Sequence, residues 1–217
     1  MYLEFYHLIV IAIVIRFIPL VKIPFRMTST YFHELGHGLM AIVTFGGIDK
    51  IALNIDGSGV CHFRYRNTFF HFLITMSGYI ATSVIGYYIY SIAKLDSAII
   101  STGNLYILLG AIVFSIVLWV RDVKSFFLVL TIAALFSVPL IDEFTDKVSV
   151  AKYTVVYMQL IGVYVMLDAL IAPFHLVDGL DDGDGGDLEK MTRIPEWFWI
   201  VMWVGIASYF LYLAYLL

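Results

Sequence analysis

A single cysteine, Cys61, stands among 217 residues. It can close no intramolecular disulfide and leaves no cysteine-built metal site, so it reads as a small buried side chain. Charge is scarce too: Asp, Glu, Lys and Arg make up 14% of the chain, against about a quarter in soluble domains. The formal net charge is -4, and no basic run interleaved with aromatics occurs, which excludes a nucleic-acid partner. Internal repeats and low-complexity segments are absent. No polar stretch is long enough to hold a separate soluble domain, so residues 1–217 read as one membrane-embedded domain.

What fills the chain is apolar, at 61% hydrophobic residues. A bilayer core of about 30 Å takes about 20 apolar residues per helix. Stretches of that kind run from Leu3 to Val21, Met27 to Gly47, Thr68 to Ala93, Ala98 to Val120, Phe126 to Ile141, Val150 to Ala172 and Trp197 to Leu217. The first carries Arg16, Pro19 and no basic start or small-residue cleavage site, so it reads as a helix rather than a signal peptide. The expectation is an all-α polytopic membrane protein, with six or seven transmembrane helices in the lipid bilayer.

Two segments interrupt that pattern. Between residues 48 and 67, Ile51, Leu53 and Ile55 alternate with Ala52, Asn54 and Asp56, Gly57 and Ser58 offer a turn, and Cys61, Phe63 and Tyr65 alternate with His62, Arg64 and Arg66. This predicts a short β-hairpin. Between residues 174 and 195 lie Asp178, Asp181, Asp182, Asp184, Asp187 and Glu189 among four glycines, beside His175. No register there gives the Ca²⁺-loop spacing. Lys50, Arg64, Arg66, Arg121, Lys124, Lys190 and Arg193 fall on one side of the spans, against Lys22, Arg26, Lys94, Lys147 and Lys152 on the other. That bias places the hairpin and the acidic segment on the cytoplasmic face.

The chemistry gathers at His33-Glu34-Leu35-Gly36-His37, inside the apolar helix 27–47. Residues four apart share a helix face, so His33 and His37 aim at one point, and two imidazoles suit Zn²⁺. Glu34 holds the position of a carboxylate that takes a proton from a metal-bound water. The composition yields only about 0.004 chance occurrences of this spacing. An ionised carboxylate at mid-bilayer costs about 2.5–3.5 kcal/mol, which a nearby cation offsets. Gly36 and Gly38 leave a small surface that would admit a substrate backbone. A third ligand must come from elsewhere, with the acidic segment as donor and His175 as competitor. Asp168 reads as an orienting group, as the partner of Arg121 or as a residue at the membrane interface.

Here the chain resembles the site-2-protease group of zinc intramembrane metalloproteases, above all its small peptidase-fifty-B-like branch. The likeness is carried by His33 to Ala41 with Thr44-Phe45-Gly46-Gly47, by Asn54 to Val60, by Ser77-Gly78-Tyr79-Ile80 with Gly86, and by Trp119 to Asp122. It continues in Asp184 to Leu188, Met191-Thr192, Ile194-Pro195, Trp197 and Trp199. Gly183 and Gly185 depart from the branch's Ser-Asp-Ala. The resemblance implies Asp184 as the third ligand; a rival register through Leu176-Val177-Asp178-Gly179 would supply Asp178 instead. It also implies zinc-dependent cleavage of a membrane protein or peptide, with the hairpin as a strand for the substrate and Asn54 as its polar residue. The alternative is a zinc-binding transporter or regulator without proteolysis.

Overall fold

The computed structural model describes residues 3–94, 98–143, 148–178 and 183–217. Among these residues, eight α-helices and one hairpin follow in the order α1 Phe5–Phe17, α2 Pro19–Val43, β1 Gly47–Leu53, β2 Gly59–Arg64, α3 Thr68–Lys94, α4 Ala98–Trp119, α5 Val123–Glu143, α6 Val148–Ile171, α7 Asp184–Thr192 and α8 Glu196–Leu216. A 3-10 helix, Ala172–Asp178, follows α6.

Among the described residues, Thr68–Lys94, Val123–Leu140, Tyr153–His175 and Glu196–Leu216 are long and apolar enough to cross a membrane. The helices α1 and α2 pass the same test only together, bent by 111° at their junction. Gly103–Trp119 is apolar but shorter. The helical, polytopic architecture with its hairpin is as expected, with four or five candidate spans among the described residues. The bend has a local cause. A residue before proline avoids the helical region, and Ile18 sits at φ -97 and ψ 105 ahead of Pro19 at the start of α2. The helix then runs through Pro24, so it begins well before the expected Met27.

Helices α2, α3 and α6 form the centre. The backbones of α3 and α6 meet at Gly86 and Gly162, where a Cβ on Gly162 would lie 2.6 Å from the Tyr90 nitrogen. Small residues at such a crossing let helices approach closely in lipid. Helices α2 and α3 meet the same way: a Cβ on Gly36 would fall 2.4 Å from that of Ala81, and the Ser77 hydroxyl donates to the Gly36 carbonyl at 3.2 Å. Gly38 faces the Ile48 side chain and Cys61 Sγ. These two glycines therefore serve packing and do not open a path for substrate.

The strands pair antiparallel, Ile51 opposite Cys61 and Leu53 opposite Gly59. Ile51 and Leu53 are fully buried, and Cys61 is buried as expected, while Ile55 and Tyr65 are exposed. The hairpin lies along α2. Its first strand touches Gly38, Gly59 meets Thr30 and Glu34, and the turn at Gly57 reaches Arg26. Backbone at membrane depth must be enclosed and hydrogen-bonded, and the outward Leu53 N–H donates to Ser125 Oγ at 2.8 Å. Because the turn reaches Arg26, the charge count does not divide the molecule into two faces at the hairpin. Asp168 pairs with Arg16, which also sits over the Tyr164 ring, so it ties α1 to α6. Arg121 instead donates to the carbonyls of Val117 and Leu118 at the end of α4, which removes it as the partner of Asp168.

Candidate metal centre

On α2 the four-residue spacing brings His33 Nε2 to 3.0 Å from His37 Nε2. His37 is buried, and its Nδ1 lies 2.7 Å from the Ile74 carbonyl of α3. A carbonyl only accepts, so the ring proton sits on Nδ1 and Nε2 presents its lone pair. His33 is held edge-on by the Tyr79 ring at 4.4 Å, and Tyr79 leans on Trp203 of α8 at 4.7 Å. Trp203 is fixed in turn by donating from Nε1 to the Met76 carbonyl at 3.1 Å.

Asp184 is the first residue of α7, with Gly183 as its N-cap. Its side chain and that of Asp187 favour this end of the helix dipole. Asp184 Oδ2 lies 3.0 Å from His33 Nε2 and 3.2 Å from His37 Nε2. That oxygen is buried and makes no well-formed hydrogen bond. Two imidazole nitrogens and a carboxylate oxygen thus form a nearly equilateral triangle, with edges of 3.0 to 3.2 Å. Ligands around a tetrahedral zinc, bonded at about 2.0–2.1 Å, sit about 3.3 Å apart. Donor chemistry, spacing and the unsatisfied oxygen all fit the ion. Among the described residues this is the one such group of His, Cys, Asp and Glu donors.

Glu34 lies beside the triangle and is 7% exposed. The second strand closes over it: a Cβ on Gly59 would fall 2.8 Å from Glu34 Cγ and 2.9 Å from Oε1, and the Cys61 backbone amide faces the carboxylate. Helix α3 closes the other side, where a Cβ on Gly78 would lie 2.6 Å from His37 Nε2 and from Cε1 of both histidines. A polar cavity of about 940 Å³ opens from this point, bordered by the β2 edge from Gly59 to Cys61 and by Thr30, His71 and Thr75.

The sequence-based expectation therefore has His33, Glu34, His37 and Asp184 in one place, and the structure brings them together. His175 lines the same cavity but stands outside the donor triangle. The Asp178 backbone belongs to the 3-10 helix, while its side chain and all of Asp181 and Asp182 lie outside the described residues. Asn54 does not line the cavity; its side chain donates to Ser58 Oγ at 2.9 Å and accepts from Lys124 Nζ. Gly78, Ile74 and Gly59 were missed as site residues. The only signal for Gly78 was its place in Ser77-Gly78-Tyr79-Ile80, where a helical glycine beside an aromatic marks a close approach.

A family model described as Peptidase M50B-like matches residues 6–214. No curated protein and no solved structure matches the chain. With nearly every element from α1 to α8 inside that match, the chain belongs to the Peptidase M50B-like family, in the site-2-protease group of membrane metallopeptidases.

Proposed function

We propose that this protein is a zinc-dependent intramembrane endopeptidase in which His33, His37 and Asp184 hold the metal and Glu34 is the general base. The observation that carries the reading is the triangle of donor atoms with edges of 3.0 to 3.2 Å, set beside a buried carboxylate in an apolar helical bundle. When bound, zinc supplies a Lewis acid that polarises a peptide carbonyl and makes water acidic enough to ionise near pH 7.

Glu34 takes a proton from the attacking water and passes it to the leaving nitrogen. Its packing under Gly59 holds the carboxylate in place, and Ile74 keeps His37 in the tautomer that offers Nε2. A scissile bond within a helix has its carbonyl already hydrogen-bonded, so the substrate must unwind first. The β2 edge bordering the cavity supports capture of the unwound segment by strand addition, in place of the role expected of Asn54. The substrates are membrane proteins or peptides that reach the cavity from the bilayer.

The test uses purified protein in liposomes with a transmembrane reporter peptide. Cleavage is expected, with loss on chelation and recovery when zinc alone is returned. Zinc uptake into the vesicles with no metal-dependent cleavage would contradict the reading.

A further inference from the structure

Two cations, Lys22 and Arg26, lie on the face of α2 that leads to the donor triangle. Lys22 and Arg26 are one turn apart, and the same stripe continues through Thr30 to Glu34. Among the described residues neither takes part in an ion pair or a hydrogen bond. Arg16, on the same cavity wall, is tied to Asp168. Lys22 and Arg26 line the cavity that also holds His33, Glu34 and Asp184. The hairpin carboxylate on this side, Asp56, accepts from the Ser58 N–H and hydroxyl at 2.9 and 2.7 Å and stands within electrostatic reach of Arg26, with no ion pair between them among the described residues. Arg26 is exposed and Lys22 half-buried, so both charges are open to an anion that enters the cavity.

The hairpin shows the direction from which the anion arrives. Gly57, at φ +87, is packed on Arg26 so closely that a Cβ there would fall 2.4 Å from Arg26 Nε, and Thr30 Oγ1 donates to the Gly57 carbonyl at 2.8 Å. Gly59, two residues on, lies over Glu34. A chain that leaves the β2 edge at Gly59 and continues past the turn along α2 therefore meets Arg26, with Lys22 one turn further on.

We propose that Lys22 and Arg26 receive an acidic side chain of the substrate and so set which peptide bond lies at Glu34. This rests on the endopeptidase reading above. Arg26 and Lys22 are eight and twelve residues from Glu34 on α2, or about 12 and 18 Å along the axis. An extended chain covers about 3.3 Å per residue, so the acidic residue lies about four or five positions from the scissile bond. The Arg26 fork takes a carboxylate by two parallel hydrogen bonds, with Lys22 as a second charge beside it.

The test measures binding of a fluorescent transmembrane peptide to full-length Glu34→Gln protein in phosphatidylcholine nanodiscs. A peptide with one Asp is expected to bind about tenfold more tightly than the same peptide with Asn, the scale of one charge-assisted hydrogen bond. That preference disappears in Lys22→Gln/Arg26→Gln, persists in the charge-conserving Lys22→Arg/Arg26→Lys, and in Lys22→Glu/Arg26→Glu turns toward a Lys-bearing peptide. In wild-type protein the cut moves with the Asp when the Asp is moved along the peptide. Equal binding of the Asp and Asn peptides, or a preference that survives the double Gln substitution, overturns the proposal. So does a pair of cations that responds only to phosphatidylglycerol in the disc, which would mark a lipid headgroup as the occupant. If Asp-dependent binding holds while wild-type protein cuts no peptide, the receptor stands and the endopeptidase reading fails.

Discussion

Gly78→Ala is expected to weaken zinc binding by about ten- to a hundredfold while leaving the helical content of the protein unchanged. The added methyl would sit 2.6 Å from His37 Nε2 and from Cε1 of both histidines, a distance at which something must move. The backbones cannot separate at little cost. A Cβ at Gly36 would already fall 2.4 Å from that of Ala81, and the Ser77 hydroxyl bridges to the Gly36 carbonyl. The imidazoles must turn instead, which breaks the 2.7 Å contact of His37 Nδ1 with Ile74 and spreads the triangle. Competition with a coloured chelator measures the change, and circular dichroism reports the fold. Wild-type zinc affinity in the variant would show that the two rings do not face a metal across Gly78.

Glu34→Gln is expected to lower cleavage of the reporter peptide by roughly a thousandfold, within the range that a positioned general base contributes. Zinc content stays at the wild-type level, because Glu34 is outside the donor triangle. The amide fills the volume of the carboxylate under Gly59, so the packing survives and only the proton acceptor is lost. Single-turnover cleavage and metal analysis on the same preparation separate the two effects. A variant that cuts at the normal rate would remove Glu34 from its assigned role, and one that loses its zinc would make it a ligand.

The His33 and His37 pair was legible in the sequence because it depends only on helical periodicity, which no tertiary contact overrides. The hairpin was legible for a similar reason, since Ile51 and Leu53 in one strand and Cys61 in the other fall at alternating positions and are buried. Asp184 was a choice between two registers, because nothing local in an acidic, glycine-rich segment tells one aspartate from another. Its place at the head of α7 is what brings it to the histidines.

Other features depend on contacts distant in sequence. The pairing of Arg16 with Asp168 joins residues 152 positions apart, and Arg121 offered an equally plausible partner on composition alone. Gly78 and Ile74 act through the crossing of α3 on α2, which no periodicity reports. Hydropathy reads the first two apolar stretches as separate spans, and only the backbone at Ile18 turns them into a bent pair. Charge counting assumes that connectors lie at the faces, but this hairpin runs alongside α2 as far as Arg26.

Zinc-edge X-ray absorption on the purified protein, loaded with one equivalent of zinc, reads the coordination shell itself. The account predicts two imidazole nitrogens at about 2.0–2.1 Å with an oxygen shell that loses one member in Asp184→Ala. A shell without imidazole scattering, a sulfur at about 2.3 Å from Cys61, or a spectrum unchanged by Asp184→Ala would contradict it.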